Sequence, residues 1–330
     1  MDIARPFIRL PYWFDAERLA VEVRELGESA WMAHPARMKG NDAVALVSRN
    51  AGDNDDFDGS MRCTRHLDQC RYIRQVMAGI GEVFGRSRLM RLAPGAEVAT
   101  HVDFNYHWYT RVRIHIPIVT HPDVMFYCAD ENVHMRAGEC WIFNSWRRHR
   151  VVNTSNISRV HLVLDLAGSS RFWKTVRQAK RFDPVADKAR IEEQLTTVPY
   201  ERGREAVVLT ENYNSAPVMS PGELDALVAD LIGDFEKNAA NDKSLVEAYK
   251  LMLFEFTKDW REVWHLYGYQ KEGQPRYQEL IDSVFAKLHP DRRALITSTN
   301  QVGVNPIIVQ RILRAALNSD KYEQFIGGVD

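Results

Sequence analysis

A series of short β-rich segments between residues 87 and 166 constrains the fold of this chain more than any other feature. Turn-forming residues such as Pro94-Gly95 and Asn153-Thr154-Ser155 separate the segments. Regularly spaced short strands of this kind are typical of a β-sandwich or a double-stranded barrel. The segments are SRLMRL, EVATHVDF, RVRIHIPIV, DVMFYC, ECWIFN, RRHRVVN and SRVHLVLDL.

The segment RVRIHIPIV shows most clearly how these strands distribute their side chains. Successive residues of a strand point to opposite faces, so alternating polarity separates a polar face from an apolar one. Arg111, Arg113 and His115 fall on one face, whereas the residues between them are aliphatic. His115 is therefore either a structural hydrogen-bonding residue or part of a pocket, and we favour the pocket.

One of these segments contains a His-x-Asp pair, His101-Val102-Asp103. On a strand the two side chains point to the same face and can converge on one ion. The pair alone is a weak signal because it is common by chance, but His149 offers a third ligand further along the chain. Two imidazoles and one carboxylate leave coordination positions open, which suits non-haem Fe(II) and oxygen chemistry.

Arg159 follows His149 by ten residues, about the length of one β-hairpin. A guanidinium there would stay charged and could hold a carboxylate through two hydrogen bonds beside the metal. A jelly-roll barrel would gather His101, Asp103, His149 and Arg159 in its mouth.

Helical patterns surround the β-rich region, so the chain is predicted to be an α+β protein. Residues 1–175 are expected to form a double-stranded β-helix (jelly-roll) barrel with flanking helices, and residues 176–330 a mainly helical domain. Predicted elements before the barrel are a strand over 5–14, a helix capped by Asp15, a strand over 43–48, a loop over 50–60 and a helix over 67–84. Predicted helices after it cover 220–237, 243–267, 275–288 and 306–317.

Bulk properties exclude several classes of function. The net charge of −1 gives no field that would attract nucleic acid or an anionic membrane. No stretch has the pattern of a signal peptide or the length of a transmembrane helix. The four cysteines contain no CxxC pair and are interpreted as free thiols, so we expect a cytoplasmic protein.

The motifs HVD, RVRIHIPI, GECWIFNSWRRHRVVNTS and RVHLVLDL, in this order, resemble the aspartyl/asparaginyl β-hydroxylase family. The resemblance covers roughly residues 85–170. It implies a jelly-roll fold and an activity that depends on Fe(II), 2-oxoglutarate and O2. Because it has a carboxylate at Asp103, the chain resembles the bacterial proline 3-hydroxylase branch of the family. That branch also has a helical C-terminal extension.

The resemblance also implies roles for individual residues. The iron-ligand histidines fall on His101 and His149, and the arginine that holds the distal carboxylate of 2-oxoglutarate falls on Arg159. The strand motif R-x-R-x-H places Arg113 and His115 at the cosubstrate pocket. From the residues themselves we add three substrate contacts as hypotheses, namely His107, Arg148 and His161.

The resulting expectation is a dioxygenase that hydroxylates an aliphatic carbon of an amino acid or amino-acid-like small molecule and converts 2-oxoglutarate to succinate. Three alternatives stay open at this point: a peptidyl Asp/Asn β-hydroxylase, a cupin-type hydrolase or isomerase, and a non-catalytic jelly-roll that binds a ligand. The helical half could cap the barrel mouth or form a homodimer interface, and the sequence does not choose between them.

Overall fold

A computed structural model describes residue 3 and residues 5–33 and 40–319 of the chain. The chain divides into two compact units. The first comprises residues up to Val102 together with Thr110–Asn214, and the second comprises Asp103–Tyr109 and the chain from Ser215 onward. No helix among the described residues is long and apolar enough to cross a membrane.

All strands described lie in the first unit and are numbered in chain order. They are β1 Phe7–Trp13, β2 Met32–Ala33, β3 Asn41–Arg49, β4 Met61–Cys63, β5 Val83–Leu92, β6 Glu97–His101, β7 Val112–Val119, β8 Val124–Cys128, β9 Glu131–Val133, β10 Glu139–Phe143, β11 His149–Asn153, β12 Arg159–Leu166, β13 Thr196–Thr197 and β14 Leu209–Thr210.

The α-helices are numbered in the same way. They are α1 Ala16–Glu25, α2 Arg65–Gln69, α3 Arg71–Ile80, α4 Tyr106–Thr110, α5 Ser170–Ala179, α6 Lys188–Glu192, α7 Pro221–Phe235, α8 Lys243–Tyr267, α9 Gln274–Lys287, α10 Val304–Ile307 and α11 Arg314–Ala316. Short 3₁₀ turns occur at Glu28–Ala30 and Lys271–Gly273, and a π-helical turn at Ile308–Leu313 joins α10 to α11.

The strands of the first unit form two sheets. In the described residues the larger sheet has ten strands in the order β13-β1-β10-β7-β12-β5-β3-β2, with β14 beside β5 and β4 beside β3. The smaller sheet has the order β6-β11-β8-β9. Ring contacts between Phe126 of β8 and His161 of β12, with centroids 5.3 Å apart, show that the sheets face each other. The unit is therefore a mixed α/β structure built on two facing sheets.

The two faces of the larger sheet are both buried but differ in chemistry. On β12 the outer face carries Val160, Leu162, Leu164 and Leu166, which join the main hydrophobic core. Helices α1, α3 and α5 contribute Leu19, Ile73 and Phe172 among others to the same core. The inner face of β12 carries Arg159, His161 and Asp165 instead. The polar face therefore points toward the smaller sheet, where the sequence predicted a pocket.

The second unit is mainly helical. Asp242 caps α8 by accepting a hydrogen bond from the backbone N–H of Leu245, and Ser220 caps α7 with Pro221 at its first turn. The core of this unit includes Trp260, whose ring centroid lies 4.6 Å from that of Tyr277. The helices predicted over 220–237, 243–267 and 275–288 agree with α7, α8 and α9 to within two residues at each end.

Two sequence predictions differ from the structure. The helix predicted over 67–84 is broken at Cys70, whose φ of −105° and ψ of 79° separate α2 from α3, and β5 already begins at Val83. The predicted domain boundary near residue 175 falls inside α5, because Phe172, Val176 and Ala179 pack into the core of the first unit. The compact units separate at Asn214 instead.

Candidate metal and cosubstrate site

Three predicted metal ligands lie together where β6 pairs with β11. His101 ends β6 and is opposite His149, the first residue of β11, with ring centroids 4.1 Å apart. Asp103 lies two residues further along the chain, beyond the end of β6. One potential ligand atom from each residue lies within 4.8 Å of the other two. Within the described part of the chain this is the one His, Cys, Asp and Glu group so arranged.

The three side chains do not converge from one shared strand face. The sequence predicted that His101 and Asp103 share a strand face, whereas β6 ends at His101 and Asp103 lies in an irregular segment. Only the histidines are positioned by strand pairing. The carboxylate reaches the same place because the backbone after residue 101 leaves the sheet.

Backbone hydrogen bonds orient both imidazoles for metal binding. Nδ1 of His101 lies 2.8 Å from the carbonyl oxygen of Ala99, and Nδ1 of His149 lies 2.9 Å from that of Arg147. A carbonyl oxygen only accepts, so each neutral ring carries its proton on Nδ1 and its lone pair on Nε2. Metal-binding histidines typically have their second nitrogen fixed in this way. The donor set of two imidazoles and one carboxylate therefore fits a divalent metal such as Fe(II).

Arg159 is a buried cation on the inner face of β12. It is only 4% exposed, and no described residue forms a hydrogen bond or an ion pair with its guanidinium. The ring of Phe126 lies 5.6 Å from its guanidinium carbon. Burial lowers the pKa of Arg159 to about 10, which still leaves it charged at neutral pH. An uncompensated buried charge is costly, and a bound carboxylate would compensate it.

Aromatic contacts connect the histidine cluster to Arg159 through the interior of the first unit. The ring of Phe143 lies 4.9 Å from that of His149, and Phe126 follows at 6.5 Å from Phe143. Phe126 in turn lies beside Arg159. A small molecule that reached from the metal ligands to Arg159 would lie along these two phenylalanines.

Two further histidines lie on the inner face of the larger sheet. Both ring nitrogens of His115 and of His161 are buried and have no hydrogen-bond partner in the described part of the chain. Burial lowers the pKa of each ring well below its usual value, with smaller contributions from nearby arginines, so both are neutral. Buried polar groups are normally hydrogen-bonded, so these nitrogens point to a ligand or water in the interior.

Arg113, the other arginine assigned to the cosubstrate, has a different environment. Its Nε–H donates to Asp165 at 2.9 Å, and Asp165 also lies 3.5 Å from Arg86. Arg86 and Arg88 both bind Asp55 of the loop between β3 and β4. Arg113 therefore belongs to a network of buried arginines and aspartates, unlike the isolated Arg159.

The predicted substrate contacts have different environments. His107 is 5% exposed and lies in the short helix α4. Its ring packs against that of Trp108 with centroids 4.5 Å apart. Arg148 is exposed, and His161 is fully buried. The structure thus brings His161 to the inner face, where Arg159 lies, but does not bring Arg148 into the interior.

Sequence reasoning missed Phe126, Phe143 and the Asp55–Arg86–Arg88 group. Phe143 could have been found from alternation in ECWIF, because Glu139, Trp141 and Phe143 share one strand face. No local signal identifies Asp55, since the loop over 50–60 contains several aspartates and only tertiary contacts select one.

Comparison with known proteins agrees with this geometry. Residues 45–168 match the model of the aspartyl/asparaginyl beta-hydroxylase family. This part of the chain is similar to that family. The matched range includes His101, Asp103, His149 and Arg159.

A curated relative is L-proline cis-3-hydroxylase 1 from a Streptomyces species. It is 30% identical over 140 residues, which cover 39% of this chain and 48% of the relative. The chain thus spans about half the length of the curated relative that it matches.

Two solved structures are also similar. An oxidoreductase of the 2OG-Fe(II) oxygenase family from Burkholderia pseudomallei has a TM-score of 0.35 at 14% identity, covering 49% of this chain and 85% of that one. A prolyl-4-hydroxylase from Pseudomonas putida has a TM-score of 0.33 at 14% identity, covering 50% and 95%. Scores of this size carry no argument about function.

Proposed function

We propose that this chain is an Fe(II)- and 2-oxoglutarate-dependent dioxygenase that hydroxylates an aliphatic carbon of an amino acid or amino-acid-like small molecule. The observation that carries the proposal is the combination of the His101–Asp103–His149 cluster with the unpartnered buried cation of Arg159. A metal site alone would fit many enzymes. A cupin-type hydrolase has no need for a buried arginine on the far side of the pocket.

The two facing sheets, in this proposal, form the double-stranded β-helix of such oxygenases. His101 and His149 hold the metal through Nε2, and Asp103 supplies the anionic ligand. When bound, Fe(II) supplies the oxidising chemistry with O2, and 2-oxoglutarate is decarboxylated to succinate as the C–H bond is hydroxylated.

Arg159 binds the distal carboxylate of 2-oxoglutarate in this proposal. The guanidinium offers paired donors that match a carboxylate, and the dry surroundings strengthen the interaction. The rings of Phe126 and Phe143 exclude water from the space between. Neutral His115 and His161 can each donate one hydrogen bond to the cosubstrate or substrate without adding further positive charge to the pocket.

The basic network around Asp55 supports a substrate with a carboxylate. Arg86 and Arg88 are 2% and 3% exposed and converge on Asp55, whose side chain is 24% exposed. Asp55 lies on a loop, so a substrate carboxylate could take its place on the two guanidiniums. A small amino acid would satisfy this site.

We further propose that the enzyme is cytoplasmic and acts without nucleic acid or a membrane. A homodimer formed through the helical half is one arrangement that we propose for it.

The first test is an anaerobic titration with Fe(II) and 2-oxoglutarate, monitored by the weak visible charge-transfer band of the chelated metal. The wild type is expected to develop the band and His149→Ala to lose it. A set of amino acids would then be screened for succinate release. If the wild type develops no band although it binds iron, the oxygenase proposal fails and a ligand-binding jelly-roll is favoured.

A further inference from the structure

The carboxylate of the proposed metal site lies in a segment that no strand pairing holds. β6 ends at His101, and residues 102–105 have no regular structure before α4 begins at Tyr106. Had Asp103 been part of β6, ladder hydrogen bonds would fix its backbone as they fix that of His101. Its position therefore depends on what holds residues 103–109, which belong to the second unit.

Arg311 contacts this segment near both of its ends. Its Nε–H donates to the carbonyl oxygen of Phe104, the residue after Asp103, at 3.1 Å. Its guanidinium carbon lies 4.8 Å from the ring centroid of Tyr109, the last residue of the segment. The Arg311 side chain is only 3% exposed. One rigid planar group thus connects the start of the segment to its end.

A second contact attaches the middle of the same segment. The hydroxyl of Tyr106 donates to the carboxylate of Glu223 at the start of α7. Within the segment, the side-chain oxygen of Asn105 accepts a hydrogen bond from the backbone N–H of Trp108 at 3.1 Å. The segment is therefore ordered locally and is fastened to the helices of its own unit.

The surroundings of Arg311 do not suggest a role in stability alone. It lies in the π-helical turn Ile308–Leu313, where Ile308, Ile312 and Leu313 are buried and apolar. Asp230 is 3.7 Å from its guanidinium. Because the Asp230 side chain is 56% exposed, water weakens this ion pair and it contributes little to stability. Irregular turns of this type frequently occur at functional sites.

We propose that Arg311 is a positioning residue for the metal site. Its hydrogen bond to the carbonyl of Phe104 and its contact with Tyr109 fix the backbone that presents Asp103. Arg311 thereby raises metal affinity although it is not itself a ligand. This inference rests on the proposed function, because it takes Asp103 as a ligand of the metal.

The test is a double-mutant cycle on metal affinity, with Co(II) alone as the probe and its visible absorption as the signal. Arg311→Met removes the donor and the charge while keeping an unbranched side chain. Residues that orient a ligand typically contribute 10–100-fold to metal affinity. We expect Arg311→Met to weaken Co(II) binding at least tenfold in the wild type, and not to weaken it further in an Asp103→Ala background.

Two further variants separate positioning from a general loss of structure. Arg261 binds Asp225 between α8 and α7 of the same unit, so Arg261→Met tests an arginine that has no contact with the segment. It should leave Co(II) affinity unchanged. Arg311→Lys keeps a charged donor and should recover part of the affinity. Equal losses for Arg311→Met in both backgrounds, or no loss in either, would overturn the inference.

The same measurements distinguish this inference from the proposed function. If the wild type binds no Co(II), or if the His149→Ala variant binds Co(II) as tightly as the wild type, the metal site itself is refuted. If binding requires His149 but does not respond to Arg311→Met, only the role of Arg311 is refuted.

Discussion

The two faces of β12 are equally buried but have opposite consequences for the protein. Every residue from Arg159 to Leu166 is buried. Val160, Leu162, Leu164 and Leu166 pack against helices in the main core. On the inner face, Nε of Arg159 and both ring nitrogens of His161 are buried without a hydrogen-bond partner among the residues that the structure describes. The outer face contributes stability through apolar burial, and the inner face carries unsatisfied polar groups that destabilise the empty protein. This difference supports the binding site that we propose.

Arginines on the inner side of the larger sheet also differ in whether a carboxylate binds them. Arg113 donates to Asp165, whereas Arg159 has no carboxylate among the described residues. Just before β7, the guanidinium of Arg111 donates hydrogen bonds from Nε and Nη2 to the carboxylate of Glu211. In the proposed function, Arg159 is the arginine that binds an external anion.

The largest effect is expected from Arg159→Met. Loss of the guanidinium removes the only proposed partner of the distal carboxylate, so the affinity for 2-oxoglutarate should fall at least about a hundredfold, the size of a broken buried ion pair. Stability of the empty protein in urea should stay the same or increase, because an uncompensated charge is removed. Calorimetric titration of 2-oxoglutarate into metal-loaded protein measures the first effect. Unchanged affinity would contradict the assignment of Arg159.

The opposite face should respond in the opposite way. Leu162 is fully buried in the main core, so Leu162→Ala should lower the free energy of unfolding by about 3 kcal/mol through lost burial and a cavity. The affinity of the folded protein for 2-oxoglutarate should change less than twofold. Urea denaturation and the same calorimetric titration give both numbers. A large loss of affinity in Leu162→Ala would remove the distinction between the two faces.

The smallest effect is a dependence of stability on pH. Burial lowers the pKa values of His115 and His161 in the folded state, so below about pH 6.5 the unfolded chain binds more protons. The free energy of unfolding should therefore be highest above that pH. As the pH decreases below it, each of the two histidines should lower the free energy of unfolding by about 1.4 kcal/mol per pH unit.

Urea unfolding of the metal-free protein between pH 7.5 and 5.5 measures this slope. His161→Leu should remove one histidine's share of it. His121→Gln serves as the control, since the side chain of His121 is 42% exposed. A slope that His161→Leu leaves intact would show that other groups cause the pH dependence.

Much of the fold could be predicted from the sequence because local periodicity encodes it. The alternation in RVRIHIPIV and the helical spacing over 243–267 correspond to β7 and α8. Prediction failed where tertiary contacts decided the outcome. The break at Cys70 and the start of β5 at Val83 depend on packing, and the end of the first unit lies beyond α5 because that helix joins its core.

The sequence by itself determined the types and the spacing of the site residues: His101, Asp103, His149 and, ten residues later, Arg159. Only the tertiary structure decided that Asp103 leaves the strand and that Arg311 reaches Phe104. It also decided that Arg113 has a carboxylate partner, whereas Arg159 has none within the described ranges. The physical reason is that periodicity sets which face a side chain occupies, whereas its charge partner depends on which distant strands and helices become its neighbours.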